Sequence, residues 1–118
     1  SAGVPFIATN PDPAGPAESG IIPGCGAVAS LLEKATGYTP YYVGKPNPLI
    51  MRLALRYLGE HSENAVMVGD NMNTDMKVGL ESGLETILVL SGVTSREMIG
   101  KSPYRPNRVL NSVAEIIP

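Results

Sequence analysis

Apolar positions along the chain alternate between short continuous runs and helical stripes, an order that predicts strands and helices in turn. Val4–Ala8 reads as a first strand, and Thr9–Gly24, with prolines at 11, 13, 16 and 23, as a long loop. A helix is expected over Cys25–Thr36, with Val28, Leu31, Leu32 and Ala35 on one face and Gly37 as its stop. Tyr41–Val43 reads as a short strand. A second helix over Pro48–Leu58 carries Ile50, Leu53, Ala54, Tyr57 and Leu58 as its apolar stripe and ends at Gly59. A third, Thr74–Ser82, turns Met76, Gly79, Leu80 and Gly83 inward, and its glycines suggest close approach to a sheet. Ala65–Val68 and Thr86–Leu90 are continuous apolar runs, as expected of strands covered on both faces in a parallel sheet. Thr94–Glu97 and Ser112–Glu115 both have the spacing of a capping box, and Arg108–Leu110 suits a last strand. Strand and helix in repetition give an α/β fold built on a doubly wound, Rossmann-like parallel sheet.

The chemistry concentrates at Val66–Asp75, where a strand stops at Gly69 and at once presents Asp70, with Asp75 five residues on. In an open α/β sheet the loop at a strand's carboxyl end is where ligands bind. Two carboxylates there suit a hard cation such as Mg²⁺, which in turn suits a phosphate. The same residues also fit an Asp-Asn turn before a helix capped by Asn73 or Thr74, with Asp75 favoured by the helix dipole. Upstream, Gly44-Lys45-Pro46-Asn47-Pro48 puts one cation at another strand end, before a helix that Pro48 is suited to open.

The order strand–GKPNP–helix–strand–GDNxxTD–helix resembles the third and fourth motifs of the haloacid dehalogenase superfamily of phosphatases. With Phe6–Asp12 and Pro23–Ala27 it is similar to the NagD-like subclass, the p-nitrophenyl-phosphatase and nucleotide or sugar phosphatase group, from Gly3 to the terminus. The resemblance implies that residues 1–40 are the end of an inserted α/β cap domain and that 41–118 belong to the Rossmann-like hydrolase core. It also implies a Mg²⁺-dependent hydrolysis of small phosphate monoesters. In that setting Asp70 is the expected Mg²⁺ ligand, and Asp75 either a second ligand or the holder of a metal-bound water or of Lys45. Lys45 would neutralise the reacting phosphate, Asn71 would donate to a phosphate oxygen or to a carboxylate, and Asn10 and Asp12 would open a loop that touches the leaving group. An Asn-Pro-Asp turn bonded to its own backbone is the other reading of those last two.

Such phosphatases carry an Asp-x-Asp nucleophile motif on their first strand, and this chain has none. The expectation is therefore the C-terminal portion of a phosphatase, inactive by itself, that self-associates or pairs with an N-terminal portion; the alternative is a non-catalytic phosphate- or partner-binding module. Composition narrows the rest. The chain has 118 residues, 43% of them hydrophobic, and a formal charge of −2. No basic run points to nucleic acid, no apolar stretch is long enough for a bilayer, and no segment resembles a signal peptide. The single Cys25 excludes an internal disulfide and makes the cytoplasm the default compartment. At a helix start it is either a reactive thiol or a small packing residue.

Overall fold

The computed structural model describes residues 3–117, which fall into two compact units, one ending at Asn47 and one beginning at Pro48. The division lies a few residues beyond the 40/41 boundary expected from the sequence, so Tyr41–Tyr42 and Lys45 fall in the first unit.

In that unit β1 (Ile7–Ala8) pairs in parallel with β4 (Tyr41–Tyr42), Ile7 opposite Tyr41. The stretch expected as an open loop contains an antiparallel hairpin, β2 (Ala14–Ala17) against β3 (Gly20–Pro23). Ala17 pairs with Gly20, leaving a two-residue turn, and Gly20 takes φ 99°, a left-handed conformation suited to glycine. Pro16 and Pro23 are tolerated because each strand of a two-stranded ribbon has an outer edge that needs no donor.

Helix α1 (Cys25–Thr36) begins and ends where the sequence predicts, and Gly37, at φ 76°, donates its N–H to Glu33 O. Its buried residues, however, are Gly26 and Ala29. The larger Val28, Leu31 and Leu32 are exposed on this chain, so the apolar stripe is not the face that packs. Gly26 explains the choice: a Cβ there would run into Pro11 O, so the helix start lies directly on the Pro11–Asp12 backbone.

The second unit holds a parallel sheet in the order β5 (Val66–Gly69), β6 (Glu85–Val89), β7 (Arg108–Leu110). Central β6 is buried from Thr86 to Val89, as its continuous apolar run predicts. β5 lies at the edge with Val66 and Val68 exposed, which corrects the expectation that both of its faces are covered. Helix α2 (Pro48–Leu58) matches its predicted span, but it buries Met51 and leaves Ile50, Leu53, Leu58 and, at 92%, Tyr57 exposed.

The expected third helix opens as a π-helical turn, Met72–Met76, and continues as α3 (Lys77–Glu81). Gly79 lets α3 lie on the sheet, since a Cβ there would stand 2.7 Å from Thr86 Cγ2 and 2.9 Å from Met67 Cβ. Gly83, expected to face inward, is instead exposed and forms the left-handed turn at the helix end, and Val78, outside the expected inward residues, is buried. Met72, Met76 and Leu88 form the core, with Leu90, Ile99, Tyr104 and Val109 against it.

α4 (Arg96–Lys101) is capped one residue later than its sequence suggests: Ser95 is the N-cap, accepting from Met98 N while Met98 Sδ accepts from Ser95 N. At the short 3₁₀ turn Val113–Glu115, Ser112 Oγ accepts from Ala114 N, and the Glu115 carboxylate bonds Asn111 instead of closing the box. Buried Thr86 is latched to the loop before β7 by Asn107. Thr86 N and Oγ1 both donate to Asn107 Oδ1 at 2.9 Å, and Asn107 N donates back to Thr86 Oγ1 at 3.1 Å. Among the described residues no helix is long and apolar enough to cross a membrane.

Candidate active site

The loop after β5 is built around Asp75. The residue is 2% exposed, and its Oδ2 accepts from Asp70 N at 3.0 Å and Asn71 N at 3.1 Å. The π-helical turn makes this possible: Met76 N reaches back to Asn71 O, and the wide turn leaves Asp75 beneath the loop. Gly69 is required there because any Cβ would overlap the Asp75 carboxyl. Asn71 caps the turn, its Oδ1 accepting from Asn73 N at 2.9 Å, so the cap is neither Asn73 nor Thr74. Asp70, Asn71 and Asp75 are thus brought together, with half-buried Asp70 at the mouth of the loop and Asp75 behind it.

The segment Ser91–Ser95, where the sequence suggests only a capping box beginning at Thr94, completes this arrangement. Asp70 Oδ2 accepts from Val93 N at 2.9 Å, Asp70 O accepts from Thr94 N at 3.2 Å, and Thr94 Oγ1 accepts from Met72 N at 3.3 Å. Ser91–Ser95 follows β6, so the carboxyl ends of two adjacent parallel strands meet here. That adjacency was the signal available in the sequence.

In the first unit, parallel β1 and β4 deliver Asn10 and Lys45 to one carboxyl edge. Val43 N donates to Ala8 O at 3.0 Å, and Gly44 sits so close to Thr9 O that a Cβ would collide with it. Asn47 closes the lysine turn through Nδ2 to Tyr42 O at 2.7 Å, and Lys45 is half-buried. Asn10 Oδ1 accepts from Asp12 N at 3.1 Å, which is the turn geometry, while Asp12 is exposed. The same loop holds Cys25: Thr9 Oγ1 donates to its Sγ at 3.1 Å, and this hydroxyl, with the Asn10 backbone next, lowers the thiol pKa from its ordinary value. Cys25 is half-buried, not sealed in the core.

Among the described residues no three His, Cys, Asp or Glu side chains form a metal-holding group. Mg²⁺ does not need one: it takes one or two carboxylates and keeps several waters, with phosphate oxygens completing its shell. Asp70, a carboxylate already oriented by a backbone N–H, fits that demand. Asp75 fits a supporting role, because one of its oxygens is committed to two backbone donors. Lys45 belongs to the other unit and supplies a positive charge at its own strand end.

Residues 42–116 match the family of HAD-hydrolase-like proteins, a match that spans both motif loops and more than half of the chain. The chain belongs to that family. It is 54% identical over 97% of its length to dihydroxyacetone phosphatase of Corynebacterium glutamicum, covering 42% of that protein. To ribonucleotide monophosphatase NagD of Escherichia coli it is 53% identical over 97% of its length, covering 44%. The solved NagD structure from E. coli K-12 superposes with a TM-score of 0.85 over 95% of this chain and 44% of that one. A p-nitrophenyl phosphatase from Archaeoglobus fulgidus, 45% identical, gives 0.83 over 93% and 44%. The chain therefore has the α/β fold of NagD-like members of the haloacid dehalogenase superfamily and spans less than half the length of the relatives it matches.

Proposed function

We propose that this chain is the magnesium- and lysine-bearing portion of a phosphatase that hydrolyses small phosphate monoesters, such as sugar phosphates, nucleotides or p-nitrophenyl phosphate. The observation that carries the reading is the Asp70 loop, a carboxylate presented at a strand end and fixed from beneath by Asp75. The names of similar proteins support it: a dihydroxyacetone phosphatase, a ribonucleotide monophosphatase and a p-nitrophenyl phosphatase.

Hydrolysis of a phosphate ester is slow because an anionic nucleophile must approach an anionic centre, so catalysis rests on positioning and charge. Mg²⁺ bound at Asp70 would neutralise phosphate oxygens and help orient the ester. Asp75 keeps Asp70 and Asn71 at the productive place by holding their backbone N–H groups. Lys45 supplies a point charge to the transferring phosphoryl group. Asn71 offers a side-chain amide from the same loop, and the Asn10–Asp12 turn would contact the leaving group. The nucleophilic carboxylate, through which an aspartyl-phosphate forms, comes from outside this sequence, since no Asp-x-Asp occurs in it. Partner and compartment follow as proposals: a small phosphorylated metabolite, an N-terminal portion or second copy paired with this chain, and the cytoplasm.

Phosphate release from p-nitrophenyl phosphate tests the assignment. A full-length protein carrying this chain turns the substrate over at ordinary enzyme rates of about 1–10³ s⁻¹ with Mg²⁺ and stops in EDTA, whereas the 118-residue chain shows no turnover. A full-length protein indifferent to Mg²⁺ would overturn the metal assignment. Turnover by the chain alone would mean that one of its own carboxylates is the nucleophile.

A further inference from the structure

We propose that Gly92, the Val93 N–H and the Thr94 hydroxyl form a clamp that sets the direction of the Asp70 carboxylate, making Gly92 and Thr94 positioning residues for metal binding. The inference rests on the reading of Asp70 as the Mg²⁺ carboxylate and adds a second strand end to that site.

Three contacts converge on the loop from this segment. Val93 N donates to Asp70 Oδ2 at 2.9 Å, which fixes one oxygen of the carboxylate. Thr94 N donates to Asp70 O at 3.2 Å, and Thr94 Oγ1 accepts from Met72 N at 3.3 Å, so Thr94 grips the backbone on both sides of Asn71. Thr94 is 2% exposed, where a polar side chain persists only with its hydrogen bond made. Gly92 is the steric half of the device. A Cβ there would overlap Asp70 Oδ2, Cγ and Cβ, the three atoms nearest to it, so a side chain at 92 and the observed Asp70 rotamer exclude each other. Its φ lies outside the left-handed region, so close approach alone demands glycine.

The arrangement has a chemical consequence. A short Asp side chain has few rotamers, and a neighbour that blocks one of them moves the carboxylate as a whole. Asp75 fixes the backbone from beneath, while the Gly92–Thr94 segment fixes the side chain from the adjacent strand end. Mg²⁺ tolerates little departure from its octahedral geometry, so an error in the carboxylate's direction is read directly as lost affinity.

The test is Mg²⁺ titration calorimetry of the full-length protein, with thermal melting in EDTA on the same samples. Asp70→Asn serves as the reference and loses Mg²⁺ binding. Gly92→Ala raises the Mg²⁺ Kd by about 10–100-fold, the usual cost of disturbing a group that orients a ligand; because its new Cβ also meets Asp70 Cβ, it melts below the parent in EDTA and its Kd is measured well below that midpoint. Thr94→Val weakens binding in the same direction and Thr94→Ser restores it. Val113→Ala, which alters only an exposed side chain away from this loop, leaves Kd unchanged. Should Gly92→Ala fail to fold, the Val and Ser variants at 94 decide the question. Loss of binding in Asp70→Asn with parental Kd in Gly92→Ala and Thr94→Val refutes the clamp and leaves the metal assignment standing. Parental Kd in Asp70→Asn overturns both.

Discussion

Replacing Asp75 separates a scaffold from a metal ligand. Its Oδ2 satisfies the backbone N–H groups of Asp70 and Asn71, and the residue is 2% exposed, so water cannot easily take its place. In Asp75→Ala each donor left unpaired costs about 1–3 kcal/mol, giving a loss of roughly 2–6 kcal/mol for the pair. Set against a typical domain stability of about 5–15 kcal/mol, that is a large fraction. A chain of this size loses about 4 °C of Tm per kcal/mol, so the midpoint falls by roughly 8–24 °C. Asp75→Asn keeps an acceptor oxygen but not the charge that makes such bonds about twice as strong as neutral ones. Its loss is correspondingly smaller, about 1–3 kcal/mol, or roughly 4–12 °C. The assay is thermal unfolding by circular dichroism in EDTA, where no metal contributes. If both variants melt within about 2 °C of the parent, an effect below about 0.5 kcal/mol, while Mg²⁺ affinity is abolished, Asp75 is a direct ligand and the scaffold argument is wrong.

Three further outcomes follow from other parts of the structure. Alkylation of Cys25 by iodoacetamide tracks the thiolate, so its midpoint lies below that of an ordinary thiol; Thr9→Val removes the first cause and moves the midpoint upward, and an unmoved midpoint refutes that cause. Asn107→Ala strips both Thr86 donors of their acceptor and destabilises the chain by about 2–4 kcal/mol in urea unfolding, whereas a change below about 0.5 kcal/mol would show that water replaces the latch. The exposed β5 edge, with Val66 and Val68, and the exposed Leu53 and Tyr57 of α2 lead to association of the 118-residue chain that grows with concentration in light scattering; a lone monomer at every concentration contradicts this.

What could be read from the sequence depended on whether the signal was local. α1 and α2 were legible to their end residues, because Gly37 and Gly59 stop them in the left-handed conformation. The packing faces of those helices were not. Periodicity marks the large apolar residues, yet contact is made by Gly26, Ala29 and Met51, and close approach favours the small side chains. The β2–β3 hairpin was hidden by its prolines, which argue against a central strand but not against a two-stranded ribbon.

The site divides in the same way. Asp70, Asn71 and Asp75 are spaced so that a tight turn must gather them, and the structure gathers them. Gly92, Val93 and Thr94 stand more than 20 residues beyond Asp70 and join it only because β6 lies beside β5. The π-helical turn that seats Asp75 left no mark, since apolar spacing cannot distinguish it from an ordinary helical start.

The proposed function is tested most directly on two charged residues, Lys45 and Asp70, through steady-state hydrolysis of p-nitrophenyl phosphate by Lys45→Ala and Asp70→Asn variants of the full-length protein. The account predicts that both lose at least about 10²-fold in kcat, the scale on which removing one stabilising group acts, and that Lys45→Ala keeps most of its Mg²⁺ affinity. Near-parental kcat in Lys45→Ala alongside an inactive Asn10→Ala would contradict it and place the chemistry elsewhere.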